Sequence, residues 1–188
     1  MCVSLRGQFL IAAKHLRDCN FFKSVVLIVE HGEQGAMGLV VNRPSSILVA
    51  HALSKHFDLA KSCEVVFLGG PVEPSALYLL HDRGEFSGGE DPVVSGLYAG
   101  CDADVFGQVI RAIRESDEPP AFRVFAGCAG WAPGQLEGEL ERGDWHVVPA
   151  CPDLVFHEDP YAMFDLARRR LSSLTPWLAS VSGDHHWN

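Results

Sequence analysis

The chain has 188 residues, the size of one ordinary domain, and 47% of them are hydrophobic, which supports a sizeable core and excludes disorder as the default. A formal net charge of −9 repels nucleic-acid phosphates and anionic lipid, so direct DNA binding is disfavoured; the one dense basic run is Arg168-Arg169-Arg170. No apolar run approaches the roughly 18–20 residues that cross a bilayer, and the first residues lack the basic start and apolar stretch of a secretory signal, so a cytoplasmic location is expected.

Residues 7–13 read as a first strand, followed by a polar connection over 14–23 with Phe21-Phe22 as an aromatic plug. Residues 25–29 form a continuous, largely β-branched run that suits a strand buried on both faces. The turn at 32–35 returns the chain antiparallel into 36–42, and Pro44 ends that strand. Ser45 or Ser46 is placed to cap a helix whose apolar face is Leu48, Val49, Ala52, Leu53 and Phe57. Short strands follow at 65–68 and 77–80, then an exposed glycine-rich acidic loop over 83–92, then a strand over 93–98.

Asp102 caps the clearest helix, in which Val105, Phe106, Val109, Ile110 and Ile113 repeat at helical spacing before Pro119-Pro120. A strand at 122–126 runs into a glycine turn at 127–130, a short helix spans 133–142, and a strand at 145–148 closes the core. Asp159-Pro160 opens a last helix to about Leu171, and 172–188 reads as a loosely ordered tail in which Trp177 docks on the body. With no internal repeat and no linker, residues 1–188 are expected to form one α+β domain: a mixed, strongly coiled sheet or partial barrel flanked by helices.

Polar residues at strand ends form the first candidate site: His31, Asn42, Arg43 and His81, with Glu73 just past Gly69-Gly70-Pro71. Glycine turns let backbone approach a ligand, and Gly69-Gly70 could offer an anion nest with Arg43 as charged partner. The competing reading is that the histidines are hydrogen-bonded core residues and Asn42 a turn former. Trp131, Gln135 and Glu139 could line the same groove, the last two sharing a helical face; the alternative is a helix that caps and packs on the sheet.

Cys128, between small residues at an expected strand-turn-helix bend, is the weak catalytic candidate, although no His or Asp at suggestive spacing names a partner. The six cysteines include no CxxC pair, and reduced, packed thiols are expected. His146, His157-Glu158 and His185-His186 lack metal-site spacing, and no phosphate-binding GxxxxGK[ST] motif or recognition helix occurs, so no metal and no cofactor are expected.

Several of these segments, taken in order, resemble the AlgH/YqgE family of bacterial proteins. They are Gly7-Gln8-Phe9-Leu10-Ile11-Ala12, Glu30-His31, Gly35-Ala36-Met37-Gly38-Leu39, Asn42-Arg43-Pro44, Gly69-Gly70-Pro71-Val72, Leu80-His81, and Gly130-Trp131 through Gly134-Gln135 to Leu140. The resemblance covers roughly residues 7–171 and implies a helix-wrapped, sheet-rich fold, a cytoplasmic setting, and a transcriptional-regulator label linked to alginate production. Family members often carry an aromatic residue, commonly Tyr, where this chain has Cys128, which argues against chemistry that requires sulfur. The expected function is a non-enzymatic regulatory module that binds a small molecule or a protein partner through a glycine-rich polar cleft. A thiol- or histidine-dependent hydrolase or transferase using Cys128 is the alternative.

Overall fold

In the computed structural model, which describes residues 3–54, 57 and 63–174, the elements follow the chain in this order. Strands β1 (Gln8–Ala12), β2 (Val25–Gly32), β3 (Gly35–Val40) and β4 (Pro44–Leu48) precede a one-turn helix α1 (Val49–Ala52). Strands β5 (Val65–Leu68), β6 (Val72–His81) and β7 (Tyr98–Gly100) come before helix α2 (Ala103–Glu115). Strand β8 (Phe122–Trp131), helix α3 (Gln135–Glu141), strand β9 (Trp145–Pro149) and helices α4 (Pro152–Val155) and α5 (Met163–Leu174) complete it.

The strands form one mixed, open sheet in the order β4-β5-β8-β3-β2-β1-β9, with β6 and β7 branching from β8. The β5–β8 pair is parallel and every other pair is antiparallel. Burial explains the uninterrupted apolar runs. In β5, β6 and β8 successive side chains point to opposite faces, and both faces are covered. Val66, Leu79 and Val124 meet Val105, Phe106, Val109 and Ile110 of α2 in one core. Their neighbours Phe67, Leu80 and Phe125 join β1, β2 and α5 in the larger one. Phe9, Leu10, Ile11 and residues 25–28 are fully buried, each contributing about 1.5–3 kcal/mol of hydrophobic burial. Asp102 caps α2 as its sequence indicates, accepting from the Asp104 and Val105 N–H groups.

Four local expectations are corrected. The helix expected after Ser45 is a strand through Leu48, because residues 44–48 pair with β5; Val49 and Leu53 still bury as the periodicity predicts, while Leu48 is exposed. The strand expected over 93–98 is a tight turn at Gly96 bridged by Val94 and Leu97, and β7 begins only at Tyr98. Asp159 Oδ1 accepts from Tyr161 and Ala162 N–H in a turn, so α5 starts at Met163 and continues through Leu174, past the expected start of the tail. Trp177 and His185-His186 lie outside the described residues.

The fourth correction positions everything else. No turn interrupts 127–130; β8 continues to Trp131. There β8 leaves β5 and β6 and pairs with β3 through Ala129, Gly130 and Trp131. The exchange is possible because Gly69-Gly70 crosses β8 backbone on backbone. A Cβ at Gly69 would lie 2.1 Å from the Gly127 oxygen, and one at Gly70, whose φ is +153°, 2.3 Å from the Cys128 carbonyl. Gly69 also donates to the Ala126 oxygen and accepts from Val40 N–H.

Gly70→Ala is therefore expected to lower unfolding free energy in urea by at least about 3 kcal/mol. Gly32→Ala, whose Cβ would meet nothing within 4 Å, should stay within about 1 kcal/mol of the parent.

Candidate functional site

The expected site residues fall into separate groups. His31, Trp131, Gln135 and Glu139 gather around α3. The His31 imidazole is buried; its Nδ1 accepts from Leu5 N–H at 3.0 Å, so the proton sits on Nε2 and is donated to Glu137 Oε1 at 3.1 Å. Glu139 Oε2 accepts from both Trp131 and Trp145 Nε1 at 2.8 Å, while Oε1 accepts from Gln135 Nε2 at 2.9 Å. Gln135 Oε1 in turn accepts from Ala132 N–H. Phe21 fills the space between the indoles, with ring centroids 6.2 Å from Trp131 and 5.5 Å from Trp145. Phe21 thus is half of the plug expected at Phe21-Phe22, while Phe22 is exposed. Three of these bonds, His31 to Glu137 and the two indoles to Glu139, hold α3 to the sheet, and the others brace the helix start and Leu5.

Asn42 and Arg43 form a second group, which grips the connection into β2. Asn42 Oδ1 accepts from Val25 N–H and its Nδ2 donates to the Lys23 oxygen, both at 2.9 Å. The Arg43 guanidinium donates to the Cys19 and Phe22 oxygens at 3.3 and 3.1 Å. These bonds hold Lys23 at a φ of +53°, a left-handed conformation that costs a non-glycine residue on the order of 1–3 kcal/mol. Burial lowers the Arg43 pKa against the opposing pull of Cys19 and Asp18.

Beside this clamp lies a groove of about 440 Å³ lined by Asn42, Arg43, Pro44, Leu68, Lys23, Asp165 and the rings of Phe22, Tyr161 and Phe164. Leu68 N–H donates to the Arg43 oxygen, so the end of β5, just before Gly69, is fixed to the same wall. Arg123, on β8, is a polar residue that the sequence did not single out. Its guanidinium is buried, donates to the Val41 and His157 oxygens, and lies 4.4 Å from the Phe67 ring centroid. Burial lowers its pKa to about 10, Glu64 opposing, so it stays charged at neutral pH. A single cation inside the apolar run 122–126 was the signal that could have flagged it.

Gly70, Glu73 and Cys128 meet elsewhere, under the irregular stretch of β6 between Val72 and Leu77. Glu73 holds a φ of +47° and accepts from the Tyr78 hydroxyl at 3.4 Å. A hydrogen bond to Cys128 raises the Tyr78 pKa, with burial adding to it. Cys128 is buried in mid-strand, and burial raises its own pKa against the Tyr78 hydrogen bond. A protonated, covered thiol on a continuous strand lacks the exposed bend of a nucleophile elbow. The anion nest is also absent in the expected form, since the Gly69 N–H is already bonded to Ala126.

His81 stands apart from all of these. It is fully buried and stacked on Tyr98 at 5.7 Å, with Nδ1 accepting from Arg83 N–H and Nε2 without a partner. Among the described residues, no three His, Cys, Asp or Glu side chains converge as a metal site.

An open, mixed sheet flanked by helices places the chain among α+β proteins. The chain belongs to the AlgH-like family, whose sequence model matches residues 9–174. It is 38% identical to a UPF0301 protein of Streptomyces coelicolor over 98% of this chain and 96% of that one. A UPF0301 protein of Thioalkalivibrio sulfidiphilus is 37% identical over 95% and 94% of the two chains. The solution structure of the AlgH protein from Pseudomonas aeruginosa superposes with a TM-score of 0.72 at 32% identity, covering 99% of this chain and 98% of that one.

Two outcomes are expected. Burial holds the His81 pKa below the usual 6.5, against the pull of the Asp82 and Glu85 carboxylates. The unfolded chain therefore takes up the proton first as pH falls. Stability is full above about 6.5 and drains away as pH drops through the folded value. His146, lowered by burial, Arg168 and His15, has the same sign. Urea unfolding of His81→Phe should show a smaller loss between about pH 7 and 5 than the parent. Secondly, Cys128 should react with a thiol reagent at least about ten-fold more slowly than the exposed Cys19 and Cys101.

Proposed function

We propose that this chain is a non-enzymatic binding module. It takes a small ligand or a protein partner at the groove beside Asn42-Arg43, and any effect on transcription runs through that occupant instead of contact with DNA. One observation carries the reading: three large apolar side chains surround a single groove while exposed, Phe22 at 51%, Leu68 at 49% and Tyr161 at 78%. A monomer gains nothing by leaving such groups clustered in water, whereas a binding surface uses them as anchors. The polar clamp supports the same reading, because it keeps the groove wall rigid before anything binds.

The charge of −9 supports an indirect route to regulation. The unpaired, exposed Cys19, Cys63 and Cys101 suit a reducing, cytoplasmic setting. No helix among the described residues is long and apolar enough to cross a membrane.

Thermal-shift screening of a metabolite panel, with cross-linking to candidate partners, tests the proposal. Binding should be lost in Leu68→Ser and Tyr161→Ala, both of which should unfold within about 1 kcal/mol of the parent. Occupants that bind these variants as well as the parent would move the site elsewhere. Tight duplex-DNA binding with a steep salt dependence would overturn the indirect route.

A further inference from the structure

We infer that residues 84–92 form a flap over the His81 imidazole, and that protonation of this ring releases the flap. His81 is the last residue of β6, yet its side chain is fully buried, on the same face of the strand as Leu79 and the smaller core. The neighbouring strands supply its sides. Tyr98 of β7 and Phe122 of β8 are its cross-strand partners, and the Tyr98 ring stacks on it at an interplanar angle of 19°. The flap supplies the cover. Phe86, on the 3-10 turn Gly84–Phe86, packs against the α2 core with its ring centroid 6.2 Å from the imidazole. Gly84 fits closely there, since a Cβ would lie 2.7 Å from the Tyr98 hydroxyl.

The bonding of the ring makes it a latch. Nδ1 accepts from Arg83 N–H at 3.3 Å, so the neutral ring carries its proton on Nε2, which has no hydrogen-bond partner among the described residues. A second proton must therefore sit on Nδ1. The imidazolium then offers Arg83 N–H no acceptor and places a charge among rings. The Asp82 and Glu85 carboxylates favour that charge, but burial outweighs them. The Arg83 guanidinium turns away to Asp82 at 3.5 Å and to the Glu118 oxygen at 2.9 Å. Val105, Phe106, Val109 and Ile110, which α2 brings to this core, carry no charge.

Of the elements around the ring, the flap is the one free to lift. The main-chain bonds of Phe86, Ser87 and Glu90 all return to residues 83–87, and Gly88 and Gly89 hold φ of +63° and +94° in open space. Its two ends are fixed, by Arg83 on Glu118 and by the Arg6 guanidinium, which donates to the Asp91 and Pro92 oxygens at 3.1 and 2.6 Å. Once the flap lifts, the imidazole reaches water and titrates near its ordinary value, so opening takes up a proton. The open fraction should rise below about pH 6.5, by up to about ten-fold per pH unit, until the lower value of the closed ring is reached.

Residue-resolved amide exchange by NMR on the full chain tests this, each rate divided by its intrinsic rate at the same pH. From about pH 7.5 to about 5.5 the protection of the Arg83, Phe86 and Ser87 amides should fall by about three- to ten-fold. At every pH it should lie at least about ten-fold below that of Val109 and Ile110 in α2. In His81→Phe the flap amides should keep one protection across the range. Flap amides as protected as those of α2 would mean that the segment opens only with the whole domain, which overturns the flap. Protection that ignores pH in the parent, or follows it equally in His81→Phe, overturns the imidazole as the trigger. Should His81→Phe not fold, the Cε1–H resonance of His81 in the parent replaces it. A midpoint shared with the flap amides supports the latch, and a separate midpoint overturns it.

Discussion

Strand β8 cannot serve two sets of neighbours unless another stretch of backbone passes directly over it, and that close crossing is the constraint on which the fold rests. Phe125 and Ala126 lie between β5 and β6, and three residues later the same strand pairs with β3. Gly69-Gly70 occupies the space any side chain would need, and Gly127 meets it with a φ of +70°. Two hydrophobic cores on opposite faces become one structure only because β8 and its neighbours β5 and β6 are shared between them.

A second regularity concerns polar side chains. The residues that look most like a reactive constellation are those that hold elements together. Glu139 gathers two indoles and an amide, His31 bridges Leu5 and Glu137, and Asn42 and Arg43 are spent on four main-chain groups. Buried or half-buried polar atoms must find partners or carry a desolvation cost. A folded domain meets that demand with the same residue types that catalysis uses.

Much of the architecture was legible in the chain. The buried runs of β1, β2 and β8, the hairpin at 32–35, the capped α2 and the short α3 all follow from local pattern and cap chemistry. Residues 44–48 misled because strand pairing with β5 overrode a helical spacing. The glycines at 127–130 misled because glycine marks both turns and close crossings, and only the position of Gly69-Gly70 tells them apart. Of the candidate residues, only Asn42 and Arg43 line the groove; Gly69 and Gly70 are taken up by the β8 crossing, and His81 is walled off behind Tyr98. The exposed Phe22, Leu68 and Tyr161 could not be found by looking for polar chemistry, since their distinction is exposure, which folding decides.

The Asn42-Arg43 clamp touches the preceding loop through the oxygens of Cys19, Phe22 and Lys23 and the N–H of Val25, never through a side chain. Its hydrogen bonds therefore enforce a path through main-chain atoms alone, with the loop's side chains felt only through charge. Outward-facing side chains of that loop can therefore be exchanged while the scaffold beneath keeps its shape.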